Sequence, residues 1–262
     1  MRLLVLAVCL CSAAVLWACS GGTTEGIEQE AENMPAATGP KKSVLVELFT
    51  SEGCSSCPPA DRTLAFLKKE QPVAGADVIT LAYHVDYWNY IGWTDRFSSP
   101  QFSRRQESYT GKFALDSIYT PQIIVDGNAQ FTGSDGGRAA GEIGKAAETR
   151  KGTAALSLTN GELKAAFADL PPTEGATVHL AIAEDDLSSD VERGENRGSK
   201  LQHVSVVREL RDIGKIGAGR SGGEASAKVE FKPEWKKANL HLVVFAQDEK
   251  TKNILAVAAI GP

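Results

Sequence analysis

The feature that most limits how this chain folds is one short succession: Val44-Leu45-Val46-Glu47-Leu48-Phe49, then Thr50-Ser51-Glu52-Gly53, then Cys54-Ser55-Ser56-Cys57, then Pro58-Pro59. A nearly continuous apolar run of this length reads as a strand buried on both faces. The two prolines suit the first turn of a helix, where a missing N–H costs little. That helix is expected to run to Glu70, with Ala60, Leu64 and Leu67 on one face. Cys54 then lies just before a helix and Cys57 in its first turn.

The other cysteines sharpen this reading. Five are present, at 9, 11, 19, 54 and 57. Arg2 is followed by an apolar run to Ala18, shorter than the roughly 20 residues a membrane-spanning helix needs. The run is expected to be an export signal covering residues 1–18. Its end, Leu16-Trp17-Ala18-Cys19, resembles the lipobox of bacterial lipoproteins. The resemblance implies that Cys19 is lipidated and becomes the mature N-terminus, and Ser20 after it hints at an outer membrane. Residues 19–42 are rich in Gly, Thr, Glu, Ala and Pro and read as a flexible tether. With Cys9 and Cys11 removed and Cys19 modified, only Cys54 and Cys57 remain. A bridge between them closes a tiny loop and adds little stability, which favours a reactive role.

Composition excludes one class of partner. The formal charge of −5 argues against nucleic acid. Residues 43–150 alternate element types: strand, helix, strand at 77–85, helix from Ser99-Pro100, strand at 122–125, hairpin return at 129–132, and helix at 135–149. Residues 151–262 read differently. Asn160-Gly161 joins two short strands, and further strands are expected at 176–183, 202–211, 225–231, 239–247 and 254–260. The fold class expected is α/β, with a second, antiparallel β-sandwich-like domain over residues 151–262.

A redox dithiol needs sulfurs close enough to bridge and an attacking thiol that is partly thiolate; a helix N-terminus supplies both. Position assigns attack to Cys54 and resolution to Cys57. Glu47 stands alone among apolar neighbours, where a buried carboxylate could accept the proton of Cys57. His84-Val85-Asp86-Tyr87-Trp88-Asn89 follows a strand, at the edge where ligands bind in open α/β sheets. His84, Asp86 and Trp88 are therefore candidate substrate-binding residues. The competing structural role is a packed aromatic loop with Asp86 capping a turn. Arg104, Arg105 and Glu107 read as a solvated helix face. Gly194-Glu195-Asn196-Arg197-Gly198 reads as a polar loop, with a loop reaching over the dithiol as the alternative.

The strand, loop, dithiol and helix at residues 44–70 resemble the thioredoxin fold family. Tyr119-Thr120-Pro121-Gln122-Ile123-Ile124-Val125 looks like that family's cis-proline strand. The resemblance implies that Pro121 faces the dithiol and that the backbone at Thr120 pairs with bound peptide. More narrowly, residues 47–61, 83–89, 119–127 and 194–198 are similar to the secreted family called domain of unknown function 1223. That family has no established activity, so the resemblance speaks to fold more than to function.

The function expected is a cell-envelope thiol–disulfide oxidoreductase acting on protein thiols and disulfides, lipid-anchored, with no cofactor beyond Cys54–Cys57 and its direction open. Alternatives are a non-catalytic binding or scaffold lipoprotein, and a metallochaperone holding metal with Cys54, Cys57 and His84. The scattered positions of the four His make a His-based metal hydrolase a poor fit.

Overall fold

The expected buried strand is present. A computed structural model of the chain describes residues 41–262, and in it β1 spans Lys42–Thr50 with every residue from Leu45 onward buried. The expected signal peptide, Cys19 and nearly all of the expected tether lie outside the described residues. Helix α1 spans Pro58–Glu70 and buries Ala60, Leu64 and Leu67, the face expected from their spacing. It ends at Gln71, whose backbone adopts φ 47° and whose N–H bonds Leu67 O at 3.2 Å. The Gln71 side chain then bonds both backbone groups of Val78, at 2.7 and 3.0 Å. An amide thus satisfies a stretch of strand edge that has no neighbouring strand.

Strand β2 (Ala76–His84) pairs parallel with β1. Helices α2 (Pro100–Glu107) and α3 (Thr110–Phe113) follow. Ser99 caps α2 by accepting from Gln101 N. Strand β3 (Gln122–Val125) returns antiparallel to β1, and β4 (Ala129–Thr132) pairs with β3. Helix α4 (Gly136–Glu148) is capped by Asp135, which accepts from Arg138 N.

Alternation along β1 divides the core. Val44, Val46 and Leu48 pack with α1 and α4. Leu45 and Phe49 point the other way, toward Tyr83, Phe102 and Tyr109.

The second half departs from expectation. Strands β5 (Thr153–Thr159) and β6 (Glu162–Ala168) form the Asn160-Gly161 hairpin, and β11 (Gly223–Lys228) joins them in a three-stranded sheet. However, β7 (Ala176–Glu184), β10 (Val206–Ile216), β12 (Leu240–Asp248) and β13 (Ile254–Ile260) extend the first sheet. One eight-stranded mixed sheet runs β13-β12-β7-β10-β2-β1-β3-β4. The join is parallel, at Val206 opposite Ala82, with Ala82 N donating to Ser205 O at 2.8 Å. The division expected at residue 150 therefore falls inside a single sheet. The β-sandwich-like domain expected at 151–262 shares its largest layer with the first half. Leu163 and Phe167 of the small sheet cover Val178, Leu180 and Leu242.

The strand expected at 202–211 is two strands. β9 (Lys200–His203) pairs with β8 (Leu187–Asp190) in a ribbon outside both sheets. Ser205, at φ 53°, separates β9 from β10. The architecture is mixed α/β, with a large central sheet and few helices. Among the described residues no helix is long and apolar enough to cross a membrane.

Candidate active site

The candidate site lies at the carboxyl ends of β1 and β2. The chain leaves β1 through Thr50-Ser51-Glu52-Gly53 and reaches Cys54, which is disulfide-bonded to Cys57 at the start of α1. Both cysteines are fully buried, whereas Ser55 and Ser56 between them are exposed. Ser56 Oγ lies 3.4 Å from Cys54 Sγ.

Strand register sets Pro121 beside this loop. Gln122 pairs with Phe49, so Pro121 adjoins Thr50. The Thr120–Pro121 bond is cis, as expected. Thr120 Oγ1 accepts from Trp88 Nε1 at 2.7 Å, and the Trp88 side chain also packs on Gly53. Trp88 thus links the proline loop to the dithiol loop.

Four expected roles are corrected by these positions. Glu47 points away from α1, and therefore from Cys57. It is fully buried against Arg105 Nε at 2.5 Å, and Tyr109 OH donates to its other oxygen at 2.5 Å. It cannot take the proton of Cys57, because strand alternation puts the two on opposite faces of the sheet. Arg105 is accordingly buried and not part of a solvated face, while Arg104 and Glu107 beside it are exposed. His84 is fully buried, with Nδ1 2.7 Å from Asp95 Oδ2, so it does not face a substrate groove. Asp86 accepts from Ser103 Oγ at 2.5 Å, and its carbonyl closes the turn to Asn89; this is the turn-capping alternative.

A different acid occupies the dithiol side. Asp61 lies one helical turn after Cys57, on the same face of α1, and accepts from Thr50 Oγ1 at 2.9 Å. Burial raises its pKa, against the lowering pull of His203 and His84. The spacing Cys57-Pro58-Pro59-Ala60-Asp61 was a readable signal for it.

Beneath the dithiol loop lies a buried charged cluster. Asp95 Oδ2 accepts from Glu52 N at 2.9 Å and faces His84. Burial alone would raise the Asp95 pKa and lower that of His84. Their mutual attraction prevails in both, so Asp95 is lowered and His84 raised. Glu52 Oε2 accepts from Trp93 Nε1 at 2.8 Å, and its Oε1 lies 3.3 Å from His203 Nε2. Its pKa is also lowered, burial being outweighed by these partners. The His84 and His203 rings meet edge-on at 4.8 Å.

The 194–198 loop is the residue set that sequence reasoning placed least well. It is the tip of the β8–β9 ribbon, and it lies across the dithiol loop. Asn196 Nδ2 donates to Glu52 O at 2.8 Å and Cys54 O at 2.9 Å. Glu195 Oε2 accepts from Ser55 N at 3.1 Å, and hydrogen bonding from the Ser55 side chain and then from this N–H lowers the Glu195 pKa. Among the described residues no group of three or more His, Cys, Asp or Glu is arranged to hold a metal ion.

Residues 45–247 match the model of a family described as a protein of unknown function, DUF1223. The chain belongs to the DUF1223 family. No curated protein matches this DUF1223 chain. Among solved structures it is similar to a structural-genomics crystal structure of a protein from Agrobacterium tumefaciens. There the identity is 25% and the TM-score 0.69, over 86% of this chain and 96% of that one. It is also similar to HBP35 of Porphyromonas gingivalis, with 16% identity and a TM-score of 0.58, over 85% of this chain and 76% of that one; this likeness concerns the fold alone.

Proposed function

We propose that this DUF1223 chain is an exported thiol–disulfide oxidoreductase of the cell envelope, anchored by lipid at Cys19 and acting on protein thiols and disulfides. The observation that carries the reading is the Cys54–Cys57 disulfide at the start of α1, with Pro121 beside it and Asp61 one turn further on. A thioredoxin-like core supports it. The order β2-β1-β3-β4, with β1 and β2 parallel, β3 reversed, α1 and α4 on one face and α2 on the other, is the arrangement that the dithiol resemblance implies.

The chemistry balances as follows. A substrate thiolate attacks Cys54 Sγ, the Cys54–Cys57 bond breaks, and Cys57 leaves as a thiolate that takes a proton from Asp61. A mixed disulfide now joins substrate and Cys54. A second thiolate of the substrate attacks its own sulfur in that bond and releases Cys54. The substrate dithiol has lost two electrons and the protein dithiol has gained them. Run backward, the same steps reduce a substrate disulfide, with Cys54 attacking and Cys57 resolving. Thr120 offers backbone to a bound peptide, and Trp88 holds that loop against the dithiol loop.

The test is trapping in cells. Cys57→Ser leaves Cys54 unable to release its partner, so mixed disulfides with envelope proteins should accumulate and vanish on reduction. Their absence, together with inert behaviour of the wild type toward a model protein disulfide, sinks the proposal. Metabolic labelling with a fatty acid, lost in Cys19→Ser, tests the anchor.

The complete burial of both sulfurs favours a second reading, a static brace in a binding lipoprotein. It predicts that a Cys54→Ser/Cys57→Ser strain behaves as wild type.

A further inference from the structure

Exchange requires a thiolate to approach Cys54 Sγ along the S–S axis, yet neither cysteine exposes any surface. Some part of the cover must move before any partner reacts. Besides the Pro121 loop, two segments pack against the dithiol loop. One is the loop from Trp88 to Trp93, which packs on Gly53 and is fastened inside the molecule by Trp93 to Glu52 and by Asn89 to Asp95 N. The other is the tip of the β8–β9 ribbon, which belongs to neither large sheet. The tip is bounded by Gly194 and Gly198 at φ 75° and 81°, a left-handed backbone that glycine adopts without strain. The strands of the ribbon are held, by His203 at 3.3 Å from Glu52 and by Arg96 Nη2 donating to Ser188 O at 2.6 Å, so its tip is the part built to move.

What the tip grips is as informative as that it grips. Three of the bonds it makes to the dithiol loop are to main chain: Asn196 Nδ2 to Glu52 O and Cys54 O, and Glu195 Oε2 to Ser55 N; Glu195 also engages the Ser55 side chain. With the tip lifted, two carbonyls and one N–H next to the reactive sulfur lose their partners. Water can pair them while the site is open, but a partner that closes over the sulfur must pair them itself or bury them unsatisfied, which is costly. Two acceptors and one donor on a stretch of chain are what another stretch of peptide backbone satisfies with its own N–H and C=O groups. A small disulfide or thiol without amides has nothing to offer them.

We propose that the ribbon tip is a displaceable stand-in for a substrate polypeptide: Asn196 and Glu195 hold the backbone groups that the substrate main chain takes over as its cysteine reaches Cys54. This rests on the oxidoreductase reading and assigns its substrate class, an extended polypeptide segment carrying cysteine. Glu195 and Asn196 are positioning residues; they touch the loop and not the sulfurs.

The test uses the full chain in its oxidised form. Reduction of Cys54–Cys57 by tris(2-carboxyethyl)phosphine is followed by alkylation and mass. Asn196→Ala removes two latching bonds and should speed reduction roughly tenfold or more, the order expected from losing hydrogen bonds of ordinary strength. Glu195→Gln should give a smaller gain, and Arg197→Ala, on the exposed side of the tip, none. Wild-type protein should react at least about tenfold faster with an unstructured cysteine peptide than with 2-mercaptoethanol at equal thiolate concentration, and Asn196→Ala should narrow that ratio.

Wild-type reduction rates in both Asn196→Ala and Glu195→Gln overturn the cover. Equal wild-type rates for peptide and mercaptoethanol overturn the substrate class. Should Asn196→Ala fail to fold, hydrogen exchange of the Ser55 amide in the wild type answers the same question. Exchange far faster than at β1 amides supports a lifting tip, and exchange as slow as β1 refutes it. These rates need no physiological substrate, so a cover that behaves as expected in a protein that traps no envelope partner separates failure of the oxidoreductase reading from failure of this one.

Discussion

Glu47 and Arg105 form the buried pair on the face of β1 away from the dithiol, and their double-mutant cycle tests the assignment of faces. Glu47 is fully buried and Arg105 nearly so, with 2.5 Å between Nε and Oε1. The guanidinium also sits over Phe245 at 5.0 Å and Tyr83 at 5.4 Å. Arg105→Met leaves a desolvated carboxylate with only Tyr109 as partner, and Glu47→Leu leaves a desolvated guanidinium. Losing one member of a buried pair costs about 3–5 kcal/mol. For a body of this size each kcal/mol moves Tm by about 2–4 °C, so each single variant should melt roughly 6–20 °C lower. The double variant replaces both charges with apolar volume beside Phe49, Tyr83 and Phe245. Tyr109 OH still accepts from Gln247 Nε2 at 2.8 Å. The double variant should therefore stand within about 1–2 kcal/mol of wild type, a coupling of several kcal/mol. Thermal and urea unfolding by circular dichroism read this directly. Additive destabilisation in the double variant would refute the pair as the reason both charges are buried. Loss of disulfide exchange in a stable double variant would refute the claim that Glu47 plays no part in the dithiol chemistry.

Asp61 has a raised pKa, so its neutral form is favoured by folding, and that contribution is present below about pH 3.9 and lost as pH rises through the folded value. Asp61→Asn should accordingly be more stable than wild type at pH 8 and level with it at acid pH, while slowing exchange at Cys57; equal pH profiles for the two proteins would contradict this. Asp185 behaves oppositely. Burial would raise its pKa, but His241 and Lys68, at 2.6 Å, hold it well below the usual carboxylate range. Asp185→Asn should cost about 1–3 kcal/mol at pH 7, and the deficit should fade as pH falls below about 4, where the unfolded chain is protonated too. His179 is pushed down to about 4 by burial and by the charge of Arg105. Its imidazole resonances should stay at neutral positions from pH 8 to pH 5, and a midpoint near 6.5 would contradict the burial.

Local pattern made the first half legible. The run into Phe49 gave a strand, the two prolines gave the helix start, and the spacing of Ala60, Leu64 and Leu67 gave the face that is buried. Turn chemistry at Asn160-Gly161 gave the β5–β6 hairpin. What stayed hidden depends on pairing at long range. Nothing in residues 202–211 says that Val206 docks beside Ala82, or that Ser205 breaks the run into two strands with different partners. The same limit explains Glu47. A lone acid in an apolar strand announces a buried partner but not which face it takes, and Arg105 on α2 was the missing half. Asp61 was legible only as a spacing from Cys57, and for residues 194–198 the lesser alternative, a loop reaching over the dithiol, is the arrangement that Asn196 makes.

Register and length together explain why the cover reaches the dithiol at all. β7 and β10 are antiparallel neighbours, and Glu184 stands opposite Val206, so residues 185–205 are one long connection between paired strands. β10 runs parallel to β2 and begins beside Ala82, near the carboxyl end of β2. The connection therefore leaves the sheet alongside Thr80 of β2 and the last turn of α1, and its length carries the ribbon tip along α1 to the dithiol loop. Asp185 pins its root by accepting from Ser205 N at 2.8 Å and from Lys68 of α1. His203, on the last strand of the ribbon, reaches Glu52 in the dithiol loop. A hairpin of this kind needs only a few residues to turn. The length beyond that builds the ribbon whose tip seals Cys54. Replacing residues 187–203 with a tight turn should then leave the eight-stranded sheet folded, since none of its pairings uses them, and leave the disulfide open to small reductants. A shortened chain that folds and keeps its disulfide as resistant as wild type would mean that the sheet edge itself, and not the ribbon, closes the site.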